Sequence, residues 1–174
     1  MVTERSDPRD PRSPRVILRH ATLADSPLLE EFDLGGDASP WLDEVREIVG
    51  GLVAWRNDTA QAHVDRRVVV GEEAGEIVAV AADECLVDES GRVLAEHRYL
   101  MVVAVRADRR RSGAARLVTE SLFAMMQSEG TRTVRWFVHP SNLGSVAFSR
   151  SVFPEADETY PPEDRPHAAF SLTL

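Results

Sequence analysis

The chain has 174 residues, enough for one domain with its own hydrophobic core and too few for two of ordinary size. Hydrophobic residues make up 43% and charged residues 28% of the sequence, and no run approaches the roughly 18 apolar residues of a membrane-spanning helix. Acidic residues outnumber basic ones by 29 to 20, and the resulting net charge of -9 disfavours nucleic acid and anionic membranes as partners.

The amino-terminal segment and the cysteine content set the boundaries of the domain and its surroundings. Residues 1–14 are charged and proline-rich, without the apolar segment of a signal peptide, and they predict a disordered tail. The single cysteine, Cys85, excludes an internal disulfide, and the scattered histidines lack metal-ligand spacing, so no metal site is predicted. We therefore expect a cytoplasmic protein with one domain over residues 15–174.

The predicted elements of the amino-terminal half are a strand, two helices and a hairpin. Residues 16–21 are rich in β-forming side chains. A proline in the first turn starts a short helix at residues 27–32, and apolar residues at helical spacing predict a second helix over residues 40–55. Two apolar runs, residues 67–71 and 76–82, flank a loop that contains glycine and indicate an antiparallel hairpin.

The carboxy-terminal half alternates strands and helices. Residues 98–105 form a nearly continuous apolar run, which predicts a central strand buried on both faces. An amphipathic helix follows at residues 113–128, then a half-buried strand at 134–139, a short helix at 142–152 and a closing strand at 168–174. The predicted order is β-α-α-β-β-β-α-β-α-β.

The loop between the central strand and the next helix has the composition of a phosphate-binding site. It contains Arg109, Arg110 and Arg111, followed by the small residues 112–115. Backbone N–H groups at a helix N-terminus have no intrahelical partners and lie at the positive end of the helix dipole, so they bind phosphate groups. Small residues permit close approach of the backbone, and the arginines add positive charge to an otherwise acidic protein.

Three residues of this loop also match a family motif. Arg110, Gly113 and Ala115 fit the pattern of Gln or Arg, two residues, Gly, one residue, and Gly or Ala. The chain therefore resembles the GNAT superfamily of N-acetyltransferases. Residues 17–25 look like the first strand and turn of that family, and residues 138–148 are similar to its second motif, a strand followed by asparagine and an apolar helix.

The resemblance extends over about residues 15–174 and implies the fold and the cosubstrate. The implied fold is α+β (α/β/α), with a mixed central sheet of about six to seven strands flanked by about four helices. The implied cosubstrate is acetyl-CoA, with its pantetheine arm paired to the central strand and its pyrophosphate in the arginine-containing loop. The residues to which the resemblance assigns cofactor binding are Val103, Ala104, Val105, Arg110, Arg111, Ser112, Gly113, Ala114, Ala115, Arg116, Asn142, Ser145 and Phe148.

The base is sought on and before the central strand. The carboxylate that some members carry on this strand falls near Tyr99, and Glu96 and His97 lie just upstream, so the resemblance implies these three as the catalytic residues. Glu96 is the first candidate for the general base and His97 the second. Asp83 and Glu84, near the end of the preceding strand, are alternatives if they face the cleft.

The general acid is the clearest departure from the family pattern. Many relatives carry a tyrosine seven residues after the asparagine of the second motif, where this chain has Ser149. A serine hydroxyl is too short and too weakly acidic to replace it. Either water protonates the leaving thiolate, or Tyr160 does so, or the protein has lost or changed its activity.

The resemblance implies acetyl transfer from acetyl-CoA to a primary amine by direct attack, with the carbonyl polarised by a main-chain N–H near Val103 or Ala104. The acceptor would be a small molecule, a peptide N-terminus or a lysine. The alternative is a GNAT-like sensor or partner module that binds acyl-CoA with weak or no turnover, and a third interpretation is an unrelated phosphate-binding domain. Because many relatives dimerise, a homodimer is expected.

Overall fold

The computed structural model describes residues 3–4, 16–36, 40–52, 65–160 and 167–174, which form eight strands and four α-helices. The strands are β1 (Thr3–Glu4), β2 (Ile17–His20), β3 (Arg66–Glu73), β4 (Glu76–Val87), β5 (Val93–Val105), β6 (Thr133–Val138), β7 (Asp157–Thr159) and β8 (Ala168–Thr173). The helices are α1 (Ser26–Glu30), α2 (Pro40–Gly51), α3 (Ala114–Ser128) and α4 (Leu143–Val152).

The strands form one mixed sheet in the order β1-β2-β3-β4-β5-β6-β8-β7. Strands β5 and β6 are parallel, and all other neighbours are antiparallel. The predicted α+β class, with a mixed central sheet and four helices, is thereby confirmed. The structure adds two short edge strands that the pattern did not indicate, β1 and β7.

Two predicted segments extend beyond the described residues. Helix α2 is described to Gly51, and its predicted continuation to residue 55 lies outside the described residues. The same holds for most of residues 1–14, of which only Thr3 and Glu4 are described, paired with β2.

The sheet separates two apolar cores, one under each pair of helices. On one face, α3 buries Val118, Leu122 and Met126 against the sheet. These residues are four positions apart and share one side of the helix, which is why the periodicity predicted α3. On the opposite face, Leu29 of α1 and Val49 of α2 are buried. Each such side chain contributes about 1.5–3 kcal/mol, so helices are held on both faces.

The strand that is buried on both faces is β4 and not, as predicted, β5. Every residue of β4 from Ile77 to Asp83 is buried, whereas β5 alternates between buried and half-buried residues from Arg98 to Val105. An apolar run predicts contact with apolar side chains, but it does not distinguish a second core from a ligand cleft, because both have apolar walls. The prediction for β5 was wrong about one of its faces.

Strands β5 and β6 pair briefly and then diverge. Residues 97–99 of β5 pair with residues 133–135 of β6, and no pairing between the two strands follows in the described part of the chain. Just beyond the paired segment, Met101 has no partner on β4, because the register shifts between Ala82 and Asp83. A bulge of this kind bends the strand that carries it. The carboxyl ends of β5 and β6 are thus held apart.

Candidate active site

A cleft of about 1200 Å³ opens where β5 and β6 diverge. Its walls are residues 99–105 of β5, residues 136–139 at the end of β6, the first turns of α4, and the side of α2 that faces β5. The half-buried face of β5 therefore lines a cavity and not a second core. Clefts of this size with mainly apolar walls and a few polar groups are typical of small-molecule and cofactor sites.

One edge of β5 has no neighbouring strand along this cleft. Strand β4 pairs with β5 as far as Val105, while the edge toward β6 has no partner after Tyr99 within the described residues. Val103, Ala104 and Val105, which the sequence predicts to bind the cofactor, line the cleft. An unpaired strand edge binds an extended ligand through main-chain hydrogen bonds, in the manner of an added strand.

Two arginines of the loop after β5 are neutralised by carboxylates. Arg106 forms ion pairs with Glu76 at 2.6 Å and with Asp108 at 2.7 Å. Arg109 forms ion pairs with Glu73 at 2.6 Å and with Asp108 at 3.0 Å. These contacts hold the loop against the β3–β4 hairpin. Because the carboxylates compensate both guanidinium groups, neither arginine is readily available to an anionic ligand.

The next two arginines of this loop line the cleft. Arg110 donates a hydrogen bond to the carbonyl of Leu34, and Arg111 is exposed with a left-handed backbone, φ 66°. Neither forms an ion pair with a carboxylate of the described residues. The side chain of Arg116, also predicted to bind the cofactor, contacts the hydroxyl of Ser151 at 3.1 Å and does not line the cleft. Arg110 and Arg111 are therefore the loop cations available to an anion.

Helix α3 begins with backbone amides that no described residue accepts. Gly113 caps the helix with φ 88°, a conformation that glycine adopts without strain. Ser112 Oγ accepts a hydrogen bond from the amide of Ala114 at 3.3 Å, but the amides of Gly113, Ala115 and Arg116 have no acceptor in the described part of the chain. Ala115 lines the cleft, and the others lie beside it. These amides and the helix dipole form a site for an anion.

The start of α4 forms the wall opposite this loop. Asn142 caps the helix through Oδ1, which accepts a hydrogen bond from the backbone N–H of Ser145 at 3.1 Å. Asn142, Ser145 and Phe148, which the sequence predicts to bind the cofactor, all line the cleft. Because its oxygen is used for the cap, the NH₂ group of the Asn142 side chain is the part available to a ligand.

A sequence model of the acetyltransferase (GNAT) family matches residues 28–152, which is more than half of the chain. The chain belongs to the GNAT family. As a member, it is an acyltransferase that uses acetyl-CoA. The match runs from within α1 to the end of α4. It therefore includes α2, β5, β6 and α4, whose residues line the cleft.

Three solved structures share the fold of this GNAT protein. The GNAT domain of PAT from S. lividans is 17% identical, with a TM-score of 0.70 over 92% of this chain and 91% of that one. The ribosomal-protein-S18-alanine N-acetyltransferase from Escherichia coli is 19% identical, with a TM-score of 0.59 and coverage of 90% and 91%. The PaiA N-acetyltransferase from Thermoplasma acidophilum, in complex with coenzyme A, is 13% identical, with a TM-score of 0.65 and coverage of 91% and 99%. No curated protein matches the chain significantly.

Of the three residues predicted to be catalytic in this GNAT protein, Tyr99 lines the cleft and the other two do not. Glu96 is exposed and forms an ion pair with Arg132 at 2.9 Å. His97 Nδ1 lies 2.7 Å from Thr133 Oγ1. Both residues precede the divergence of β5 and β6, so the geometry does not bring them together with the cofactor-binding residues.

Tyr99 stands at the inner end of the cleft. Its ring lies 5.9 Å from that of Phe137, measured between centroids. Burial raises the pKa of Tyr99 above its usual value, and the nearby carboxylates of Glu44 and Glu84 raise it further. The hydroxyl is therefore protonated at neutral pH and can donate a proton or a hydrogen bond.

The two alternative carboxylates of β4 are occupied by arginines. Asp83 is fully buried and bonded to Arg67 and Arg98, and Glu84 is bonded to Arg66. Neither carboxylate lines the cleft. The condition under which they were candidates for the base, that they face the cleft, is not met.

Ser149 and Tyr160 were the residues considered for the acid. Ser149 is buried and lines the cleft, but its Oγ accepts a hydrogen bond from Trp136 Nε1 at 3.0 Å. Tyr160 is 62% exposed, donates to Glu158 at 2.6 Å and does not line the cleft. The predicted role of Tyr160 has no support in this geometry.

Sequence reasoning missed several polar residues of the cleft, among them Glu44 on α2 and the ring pair His139 and His167, whose centroids lie 5.5 Å apart. The backbone N–H of Ser141 donates to His139 Nδ1 at 3.2 Å, so a neutral His139 carries its proton on Nε2. Helical spacing could have placed Glu44 on one side of α2 with Ile48, but nothing in the sequence identified that side as a cleft wall.

Metal-ligand clusters and membrane-spanning helices are absent from the described residues. Among them, no group of three or more His, Cys, Asp or Glu side chains is placed to hold a metal ion. No helix in the described ranges is both long and apolar enough to cross a membrane.

Proposed function

We propose that this GNAT protein transfers the acetyl group of acetyl-CoA to a primary amine by direct attack. One observation carries the proposal: the unpaired edge of β5 leads along the cleft to Arg110, Arg111 and the start of α3. An extended arm that ends in phosphates matches this order of strand edge and anion site.

The donor groups along the cleft fit acetyl-CoA. The unpaired edge of β5, from Val103 to Val105, is matched to the amides of the pantetheine arm, and the side-chain NH₂ of Asn142 lies on the opposite wall. The amides at Gly113 and Ala115 have no protein acceptor, which is the condition that a pyrophosphate satisfies. We assign Arg110 and Arg111 to the phosphates, because neither guanidinium is neutralised by a described carboxylate.

When bound, acetyl-CoA supplies a thioester carbonyl, to which an amine forms a C–N bond while the C–S bond breaks. The main-chain N–H near Val103 or Ala104, on the unpaired edge, polarises the carbonyl. Tyr99 lines the cleft with a hydroxyl that is protonated at neutral pH, and it donates a proton to the leaving sulfur. Glu44, on the wall of the cleft formed by α2, holds the incoming amine as its ammonium ion before water removes a proton.

The second candidate function is acyl-CoA binding without turnover. It is favoured by Ser149, whose hydroxyl is hydrogen-bonded to Trp136 at the position where many relatives carry a tyrosine. The two functions share the cofactor site and differ in the need for Tyr99. Replacing Tyr99 with Phe therefore separates them: acetyl transfer loses rate, whereas binding of acyl-CoA is unchanged.

The first test is thermal unfolding with and without acetyl-CoA, with CoA, ATP and NADH as further ligands. A ligand at about 100 times its dissociation constant adds roughly 2.7 kcal/mol to native stability, which raises the midpoint by several degrees. Acetyl-CoA and CoA are expected to produce this shift, and thiol release in the presence of amines then reports turnover. Absence of a shift at millimolar acetyl-CoA would contradict both candidate functions.

A matched pair of glycine variants locates the binding. Gly113 and Gly91 have φ values of 88° and 84°, and an added Cβ meets no atom within 4 Å at either position. Valine at either site therefore causes similar backbone strain, of about 1–3 kcal/mol. Gly113→Val is expected to abolish the shift with acetyl-CoA, whereas Gly91→Val, in the β4–β5 turn, retains it. Equal loss in both variants would contradict binding at α3.

A further inference from the structure

The walls of the cleft on the side of α2 are apolar. Val45 and Ile48 of α2 and Met101 of β5 are partly buried and pack against the same core. Phe137 adds a ring that is 53% exposed and faces Tyr99. A large exposed aromatic beside an apolar wall marks a surface that a ligand covers.

The charges of the described lining are segregated. Arg110 and Arg111 lie at the end near α3, and Glu44 is the single carboxylate among the described residues that line the cleft. The carboxylate of Glu44 lies close enough to Tyr99 to raise the pKa of its hydroxyl. Its negative charge therefore acts on groups beside Tyr99. The lining thus carries two guanidinium groups next to α3 and one carboxylate on α2.

If acetyl transfer proceeds as proposed above, we infer that its acceptor is a primary amine with a single positive charge on an apolar, preferably aromatic, body. The ammonium lies between the carboxylate of Glu44 and the faces of the Tyr99 and Phe137 rings, which attract cations. The body of the amine covers Val45 and Ile48, where it removes apolar surface from water.

The same walls disfavour polycationic amines. A second ammonium placed over Val45, Ile48 or Met101 would lose water without gaining a carboxylate, because Glu44 already holds the first. Spermidine and aminoglycosides are therefore expected to be poor acceptors. A peptide brings polar main-chain groups to the same apolar walls, and it is expected to rank below a small aromatic amine as well.

The experiment compares acceptors in one assay on the full chain. Initial rates of thiol release from acetyl-CoA are measured with 2-phenylethylamine, spermidine and an alanine-initiated tripeptide. We expect kcat/KM for 2-phenylethylamine to exceed that for the other two by about tenfold or more, the effect of one unpaired buried charge or polar group. A higher kcat/KM for spermidine or for the peptide would overturn the inference.

Two glutamate variants test the source of the preference. Glu44→Gln is expected to lower kcat/KM for 2-phenylethylamine by about tenfold, mainly through KM, and to leave the thermal shift with acetyl-CoA unchanged. Glu47→Gln, on the same helix and outside the cleft lining, is the matched control and is expected to behave as wild type. Equal kcat/KM in Glu44→Gln and Glu47→Gln would overturn the role of Glu44.

The readouts separate failure of the inference from failure of the proposed function. A shift with acetyl-CoA together with turnover only of spermidine or peptide leaves acetyl transfer standing and overturns the acceptor class. A shift without turnover of any amine overturns acetyl transfer and favours the acyl-CoA-binding alternative. No shift with acetyl-CoA overturns the site itself, and the acceptor class with it.

Discussion

Asp83 on β4 and Asp108 in the loop after β5 are each bonded by two arginines, and they differ mainly in burial. Each accepts two hydrogen bonds from one guanidinium and a third from another. The side chain of Asp83 has no exposed surface, whereas that of Asp108 is 52% exposed. Burial raises the pKa of Asp83, while the hydrogen bonds from Arg106 lower the pKa of Asp108.

The difference shows how one ion-pair geometry serves two purposes. In the sheet, Asp83 is the buried partner of Arg67 and Arg98, whose other carboxylate partners, Glu129 and Asp65, are more exposed. At the surface, Asp108 binds Arg106 and Arg109 at little energetic gain, but it determines which arginines of the loop remain available to a ligand. All twenty Lys and Arg residues of the chain are arginine. Whether an arginine is compensated or available to a ligand therefore depends on its carboxylate partner and not on the residue type.

The largest expected effect comes from removing the buried carboxylate. Asp83→Ala removes the buried partner of two guanidinium groups, which keep only the more exposed Glu129 and Asp65, and is expected to lower the free energy of unfolding by about 3–5 kcal/mol. Asp108→Ala removes the same contacts in water and is expected to leave the denaturation midpoint nearly unchanged. Urea denaturation followed by circular dichroism measures both. Similar losses in the two variants would contradict the distinction by burial.

The next effect concerns ligand binding by the loop. Arg111→Ala removes a cation that has no carboxylate partner among the described residues, and it is expected to weaken acetyl-CoA binding about tenfold. Arg109→Ala removes a cation already neutralised by Glu73 and Asp108 and is expected to weaken binding much less. Calorimetric titration gives both dissociation constants. If Arg109→Ala and Arg111→Ala weaken acetyl-CoA binding equally, then pairing with Asp108 does not determine which arginines are available to the ligand.

The smallest effect comes from Asp25, an intermediate case with one arginine partner. Arg19 lowers the pKa of Asp25 to about 2, from an ordinary value of 3.8. Because the folded pKa is depressed, the pair stabilises the protein above the unfolded pKa, and this stabilisation is lost as pH falls toward 2. We expect Asp25→Asn to lower stability by on the order of 1 kcal/mol at neutral pH, with the difference from wild type vanishing between about pH 4 and pH 2.

The control for Asp25 is Asp43→Asn, because Asp43 is 87% exposed in its ion pair with Arg46. This variant is expected to follow wild type at every pH. Denaturation midpoints measured from pH 7 to pH 2 provide the comparison. A constant difference between Asp25→Asn and wild type over this range would exclude the carboxylate of Asp25 as its source.

The loop between β5 and α3 could be recognised in the sequence because its motif is local. Arg110, Gly113 and Ala115 lie within six residues, between a strand and a helix that each have their own periodicity. Neither the charge state of the loop nor the acceptor side could be predicted in this way. The partners that neutralise Arg109 include Glu73, 36 positions earlier. Glu44, on α2, meets the cleft only because that helix packs on the sheet beside β5.

The sequence by itself determined the family, the four helices and the six longer strands, because hydrophobic period and turn chemistry act over a few neighbouring positions. Tertiary structure decided where the cleft opens. The divergence of β5 from β6 after Tyr99 depends on pairing between strands some 35 positions apart and on the bulge at Met101. That divergence leaves Glu96 and His97 outside the cleft and places Tyr99 within it, since all three lie on one strand and only the last reaches the point of separation.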